Sequence, residues 1–128
     1  MDSENIRLTD SEWQVMECLW ARSPKTGREL TEELAGKMGW SRSTVLTFLR
    51  RLEEKHAVTG GESGLKLYSP LISRENAALA EAEGLLARVY NGSVGLLVSS
   101  LTKKQRLTRE EIEELYKLLG ELEANCDD

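Results

Sequence analysis

Residues 26–69 read TGRELTEELAGKMGWSRSTVLTFLRRLEEKHAVTGGESGLKLYS, and the fold follows from how the apolar spacing changes along this stretch. Thr26 followed by Glu29 is a capping box, in which each side chain satisfies a free backbone N–H of the other. It opens a helix whose apolar face is Leu30, Leu34 and Met38. Gly39 stands where a left-handed residue ends such a helix. Ser41 caps the next one, roughly Arg42 to Lys55, with Val45, Leu49 and Leu52 turned inward and Phe48 beside them. Only a few residues separate the two helices, as a helix-turn-helix requires. After Lys55 the period falls from 3.6 to 2. Ala57–Thr59 and Leu65–Ser69 read as short strands around the tip Gly60-Gly61-Glu62-Ser63-Gly64, and Pro70 stops the second. Helix, turn, helix and hairpin in this order predict a winged helix-turn-helix.

The second helix carries Arg42, Arg50, Arg51 and Lys55 together with Ser43, Thr44 and Thr47. Cations on a short helix neutralise phosphates, while hydroxyls and arginine forks reach base edges in a major groove. The same cations have a plainer reading, as the solvated side of an amphipathic helix.

Outward from this core, Thr9 and Glu12 form an earlier capping box, stapled by Leu8 and Trp13. Trp13, Met16, Leu19 and Trp20 recur at helical spacing as a buried stripe, so these aromatics are expected in the core rather than stacked on bases. Pro24 closes that helix. Beyond the hairpin the chain reads as helical. A helix from Ser73 carries Leu79, Ala82, Leu86, Val89 and Tyr90 in phase, and Asn91-Gly92 breaks it. A second, from about Ser93, presents Val94, Leu97, Val98 and Leu101. A third capping box, Thr108 and Glu111, opens a last helix with Ile112, Leu115, Leu119 and Leu122 on one face. Its EEIEEL run is expected to be a solvated face. Three short amphipathic helices cannot bury such stripes alone, which makes a homodimer the economical expectation, through Leu86, Tyr90, Val94, Leu97, Val98, Leu101, Ile112, Leu115 and Leu119. The expected division is a DNA-binding domain over 1–72 and a helical dimerisation domain over 73–128. The fold class is mainly α with a small β-hairpin wing.

At 128 residues, 40% of them hydrophobic and 30% charged, the chain suits one or two small domains with modest cores. The formal net charge of −5 is unlike that of a typical nucleic-acid binder. Its distribution is uneven: residues 22–55 hold 8 basic and 5 acidic side chains, whereas residues 73–128 hold 7 and 11. A local basic patch on an acidic chain predicts DNA binding that weakens sharply with salt. No apolar run approaches the roughly 18–20 residues of a membrane span, and the acidic start MDSENIRLTD lacks the apolar segment of a secretory signal. A cytoplasmic protein without membrane insertion is expected. Cys18 falls in a helical apolar pattern and Cys126 in the polar tail, without the clustering a metal site needs. His56, the lone histidine, is expected to end a helix. No phosphate-binding glycine loop, paired nucleophile or metal cluster points to an enzyme or to a cofactor.

Five stretches in order carry a resemblance: LTDSEWQVMECLW (8–20), WSRSTVLTFLRRLEEK (40–55), YSPLISRE (68–75), YNGSVGLLVSSL (90–101) and LTREEIEELYKLL (107–119). Across nearly its full length the chain resembles the BlaI/MecI/CopY family of bacterial penicillinase and copper-pump repressors. The resemblance implies a homodimer that represses transcription from a palindromic double-stranded DNA operator with TACA/TGTA-like half-sites. It implies base contacts from Arg42, Ser43, Thr44 and Thr47, phosphate contacts from Arg28 and Arg51, and a wing contact from Lys66. Leu46 departs from the pattern, since relatives often carry a basic residue there. Glu62 is an unfavourable wing-tip residue beside a phosphate. For induction the resemblance implies a sensor or protease partner, but the bond aligned with the family's Asn-Phe cleavage site is Ser100-Leu101, and the copper branch's cysteine cluster is absent. A protein-interaction module that has kept the fold and lost DNA is the alternative, favoured by the net charge, Leu46 and Glu62.

Overall fold

The computed structural model describes residues 6–60 and 66–124, so the wing tip from Gly61 to Leu65 and the tail with Cys126 lie outside the described residues. Among the described residues the order is α1 (Asp10–Ala21), β1 (Lys25–Thr26), α2 (Gly27–Met38), α3 (Arg42–Glu54), β2 (Val58–Gly60), β3 (Leu67–Pro70), α4 (Arg74–Val89), α5 (Val94–Lys103) and α6 (Arg109–Ala124). Two compact units emerge, Met1–Gly84 and Leu85–Asp128, and the division falls within α4.

The first unit is the winged helix that the spacing predicts. Each anticipated cap is present: the Glu12 N–H donates to Thr9 Oγ1 at 3.1 Å, the Glu29 N–H to Thr26 Oγ1 at 3.1 Å, and the Thr44 N–H to Ser41 Oγ at 3.3 Å. Gly39 ends α2 with φ 71°. α3 closes with His56 at φ 63°, the Ala57 N–H donating to Leu52 O and the His56 N–H to Glu53 O. That is a left-handed helix stop filled by histidine instead of glycine. The wing strands pair antiparallel, Val58 opposite Pro70 and Gly60 opposite Tyr68. β1 completes a three-stranded sheet in the order β1-β3-β2. Two residues are too few to show a period-2 pattern, which is why β1 escaped the sequence reading.

The core gathers Val15, Met16, Leu19, Leu30, Leu34, Val45, Leu49 and Leu52, all essentially inaccessible. Burial of each such side chain contributes about 1.5–3 kcal/mol. Met38, expected on the buried face of α2, is 42% exposed because it lies in the last turn. Trp13 and Trp20 stack edge to face at 5.1 Å and are half-buried against this core, with the Trp20 indole donating to Ile72 O. Cys18 is buried, and burial pushes its thiol pKa up. The first half of α4 belongs to the same unit: Ala77 and Ala80 are buried, and Arg74 forks onto Glu17 with two 3.0 Å bonds.

Two buried charges were not legible in the sequence. The Lys25 ammonium donates to Cys18 O and to Glu33 Oε1. Glu12, 1% exposed, both caps α1 and accepts from the Lys55 ammonium at the end of α3. Burial works to raise the Glu12 pKa, but hydrogen bonds from Lys55 and Thr9 outweigh it and hold the carboxyl below its ordinary value. A carboxylate depressed in the folded state stabilises above its unfolded pKa, and that stability is lost as pH falls through the folded value. Glu12→Gln is therefore expected to cost about 1–3 kcal/mol at neutral pH. The deficit should shrink below about pH 4. Urea melts of both proteins at neutral and acid pH measure this, and a deficit independent of pH would refute it.

Candidate nucleic-acid interface

α3 presents one inward and one outward face. Val45, Leu49 and Leu52 point into the core, while Arg42, Ser43, Arg50 and Arg51 are exposed and Thr44 and Thr47 half-buried. Its N-terminus carries a hydroxyl cluster, with Ser41 Oγ 3.1 Å from Ser43 Oγ and 3.0 Å from Thr44 Oγ1. Thr47 Oγ1 donates back to Ser43 O at 2.9 Å, which fixes its hydroxyl against the preceding turn. Small, oriented hydroxyls leave room for a base edge to approach the helix.

The cations divide by partner. Arg42, Arg50 and Arg51 lie in no ion pair among the described residues. The Arg51 guanidinium rests over the Phe48 ring at 5.9 Å, and Phe48 packs on Trp40 with ring centroids 5.0 Å apart. This aromatic pair supports an arginine without neutralising it. Arg28, in the first turn of α2, is highly exposed and lies 3.5 Å from Glu32, an i,i+4 pair of little strength in water. Lys66 is exposed but engaged: its ammonium lies 3.0 Å from Glu53, and that hydrogen bond raises its pKa. Lys55 corrects the sequence reading. It is turned to Glu12 and to Arg7 O, so it is a joint between α1 and α3 and not part of the outward basic face.

Leu46 also finds a structural explanation. It is half-buried against the core cluster, close to the first turn of α2 at Gly27. Glu62, expected to be unfavourable beside a phosphate, lies outside the described residues.

The second unit is built differently. Neither α5 nor α6 contains a buried residue. Val94, Ile112 and Leu119 are 58%, 38% and 60% exposed, while Leu86, Tyr90, Leu97, Val98, Leu101 and Leu115 are half-buried. Val94, Val98, Ile112, Leu115, Tyr116 and Leu119 line a largely apolar cavity of about 320 Å³. The EEIEEL glutamates are exposed, apart from the capping contact of Glu111 with the Thr108 N–H. Among the described residues no cluster of metal-ligating side chains occurs, and no helix is long and apolar enough to cross a membrane.

The model of the penicillinase repressor family matches residues 8–121, spanning both units. The chain belongs to the penicillinase repressor family. Over 116 residues it is 32% identical to the penicillinase repressor of Bacillus licheniformis, covering 90% of this chain and 91% of that one. Over 121 residues it is 26% identical to the methicillin resistance regulatory protein MecI of Staphylococcus aureus, covering 94% and 98%. Among solved structures, the DNA-binding domain of the repressor BlaI superposes with a TM-score of 0.52 at 30% identity, covering 56% of this chain and 89% of that one. The penicillinase repressor match thus extends through the apolar helices of the second unit as well as the winged helix.

Proposed function

We propose that this chain, a member of a family of DNA-binding transcriptional repressors, acts as a cytoplasmic homodimer on a palindromic operator. The observation that carries the reading is the outward face of α3, where hydrogen-bonded hydroxyls adjoin arginines that lie in no ion pair among the described residues. In this reading Arg42, Ser43, Thr44 and Thr47 meet base edges in the major groove, and Arg28 and Arg51 meet phosphates. Lys66 supplies the wing contact. In this reading residues 1–72 bind DNA and residues 73–128 carry the dimer contact, with the first turns of α4 packed into the first unit through Ala77 and Ala80. Two-fold symmetry in the protein calls for two-fold symmetry in the operator. Release from DNA would involve a sensor or protease partner, acting elsewhere than a bond of the Asn-Phe type, since Ser100-Leu101 stands at that point.

The apolar faces of α5 and α6, none of whose residues is buried, together with Leu86 and Tyr90 around the end of α4, support dimerisation through Leu86, Tyr90, Val94, Leu97, Val98, Leu101, Ile112, Leu115 and Leu119. A helix that leaves its apolar stripe in water in one copy can bury it against another.

A mobility-shift titration against the duplex upstream of the chain's own gene, with excess random competitor and at two salt concentrations, tests the function. A salt-sensitive shift that survives competitor and footprints as a palindrome is expected. A shift abolished by any competitor would favour the protein-interaction module instead. Arg51→Ala should weaken binding to every sequence and reduce the salt slope by about one, whereas Thr47→Ala should change the ranking among operator variants. Equal salt slopes for Arg51→Ala and the parent would remove the phosphate assignment. Leu119→Glu should cost a lone chain little and shift the sedimenting species from dimer to monomer. An unchanged dimer would exclude Leu119 from the contact.

A further inference from the structure

The wing's described cation is held by the recognition helix itself. Glu53 lies in the last turn of α3, and its Oε1 is 3.0 Å from the Lys66 ammonium. The ammonium also lies 5.5 Å from the centroid of the Tyr68 ring. Gly60 stands opposite Tyr68 in the strand register, directly beneath the pair. A Cβ at residue 60 would overlap the Glu53 carboxylate and come within 2.6 Å of Lys66 Cε. The missing side chain at Gly60 is what leaves room for this seat. Both partners retain solvent access, at 48% for Lys66 and 30% for Glu53, so the ammonium can leave without disturbing the core.

We infer that Glu53 is a specificity-determining residue that holds the wing cation in reserve, so that Lys66 engages DNA only where a phosphate is positioned to displace the carboxylate. This rests on the repressor reading. When Lys66 moves to a phosphate, Glu53 is left bare beside a polyanion, so the contact adds less than a free lysine would. Operator binding in a fixed register can place a phosphate to make the exchange. Random duplex, bound without fixed register, gains little from Lys66. Glu53 therefore suppresses non-specific affinity more than operator affinity.

The test uses the full chain and compares the parent with Glu53→Gln, Lys66→Gln, the double variant and Glu54→Gln. Binding to a random duplex and to the footprinted operator is followed by fluorescence anisotropy across a salt series. Glu53→Gln should bind random duplex about tenfold more tightly, with a salt slope steeper by about one. Its gain on the operator should stay under about threefold. Adding Lys66→Gln should abolish the gain, and Glu54→Gln, which removes an exposed carboxylate from the same turn, should give a smaller one. If the pair merely pins the wing, Glu53→Gln would weaken binding to both duplexes, and the inference fails. It fails equally if the gain survives Lys66→Gln or is matched by Glu54→Gln. A parent that shows no salt-dependent binding to either duplex would overturn the repressor reading as well.

Discussion

The first unit depends on one buried carboxylate. Glu12 accepts the Thr9 N–H that would otherwise be orphaned at the start of α1, and it receives the ammonium that ends α3. Because Lys55 also donates to Arg7 O, the segment entering α1, the cap of α1 and the final turn of α3 meet at one point. A charge this deeply buried is tolerated only when its lone pairs are occupied, so the site constrains where α3 can end relative to α1. The wing inherits that constraint, since the left-handed His56 immediately after Lys55 turns the chain into β2.

The winged-helix order was legible in the sequence because each boundary was written locally. Thr9, Thr26, Ser41 and Thr108 sit three residues before the N–H they cap, and Gly39 stands at the positive-φ position that ends α2. The missed features depend on residues far apart in sequence. β1 exists only because Lys25 and Thr26 lie beside Tyr68 and Leu67, and no spacing within two residues signals a partner so distant. Lys55 looked like the other cations of its helix, and only the position of α1 distinguishes it. A lysine one helical turn beyond Arg51 could have been suspected from its approach to the helix end, but Glu12 as its partner could not.

The candidate interface was legible by residue type and less so by circumstance. Arg42 and Ser43, which the resemblance singled out, are exposed on α3, and Thr44 and Thr47 beside them are half-buried. What the sequence withheld was the state of each cation. Arg51 is supported by an aromatic pair and keeps its charge available, while Lys66 and Lys55 are each engaged by a glutamate. The net charge of −5 is thus a poor guide to the outward face, because the charge that matters there is what remains after local pairing.

The absence of any buried residue in α5 and α6 has a consequence that belongs to mass action. Under the proposed pairing, the free energy that orders these helices comes from a second copy, so the ordered fraction of the second unit rises with protein concentration. Where the operator is far from saturated and chains are only partly paired, halving their concentration more than halves its occupancy, because it also lowers the share of chains assembled to bind it. Such a repressor would respond to its own concentration more steeply than a monomeric one.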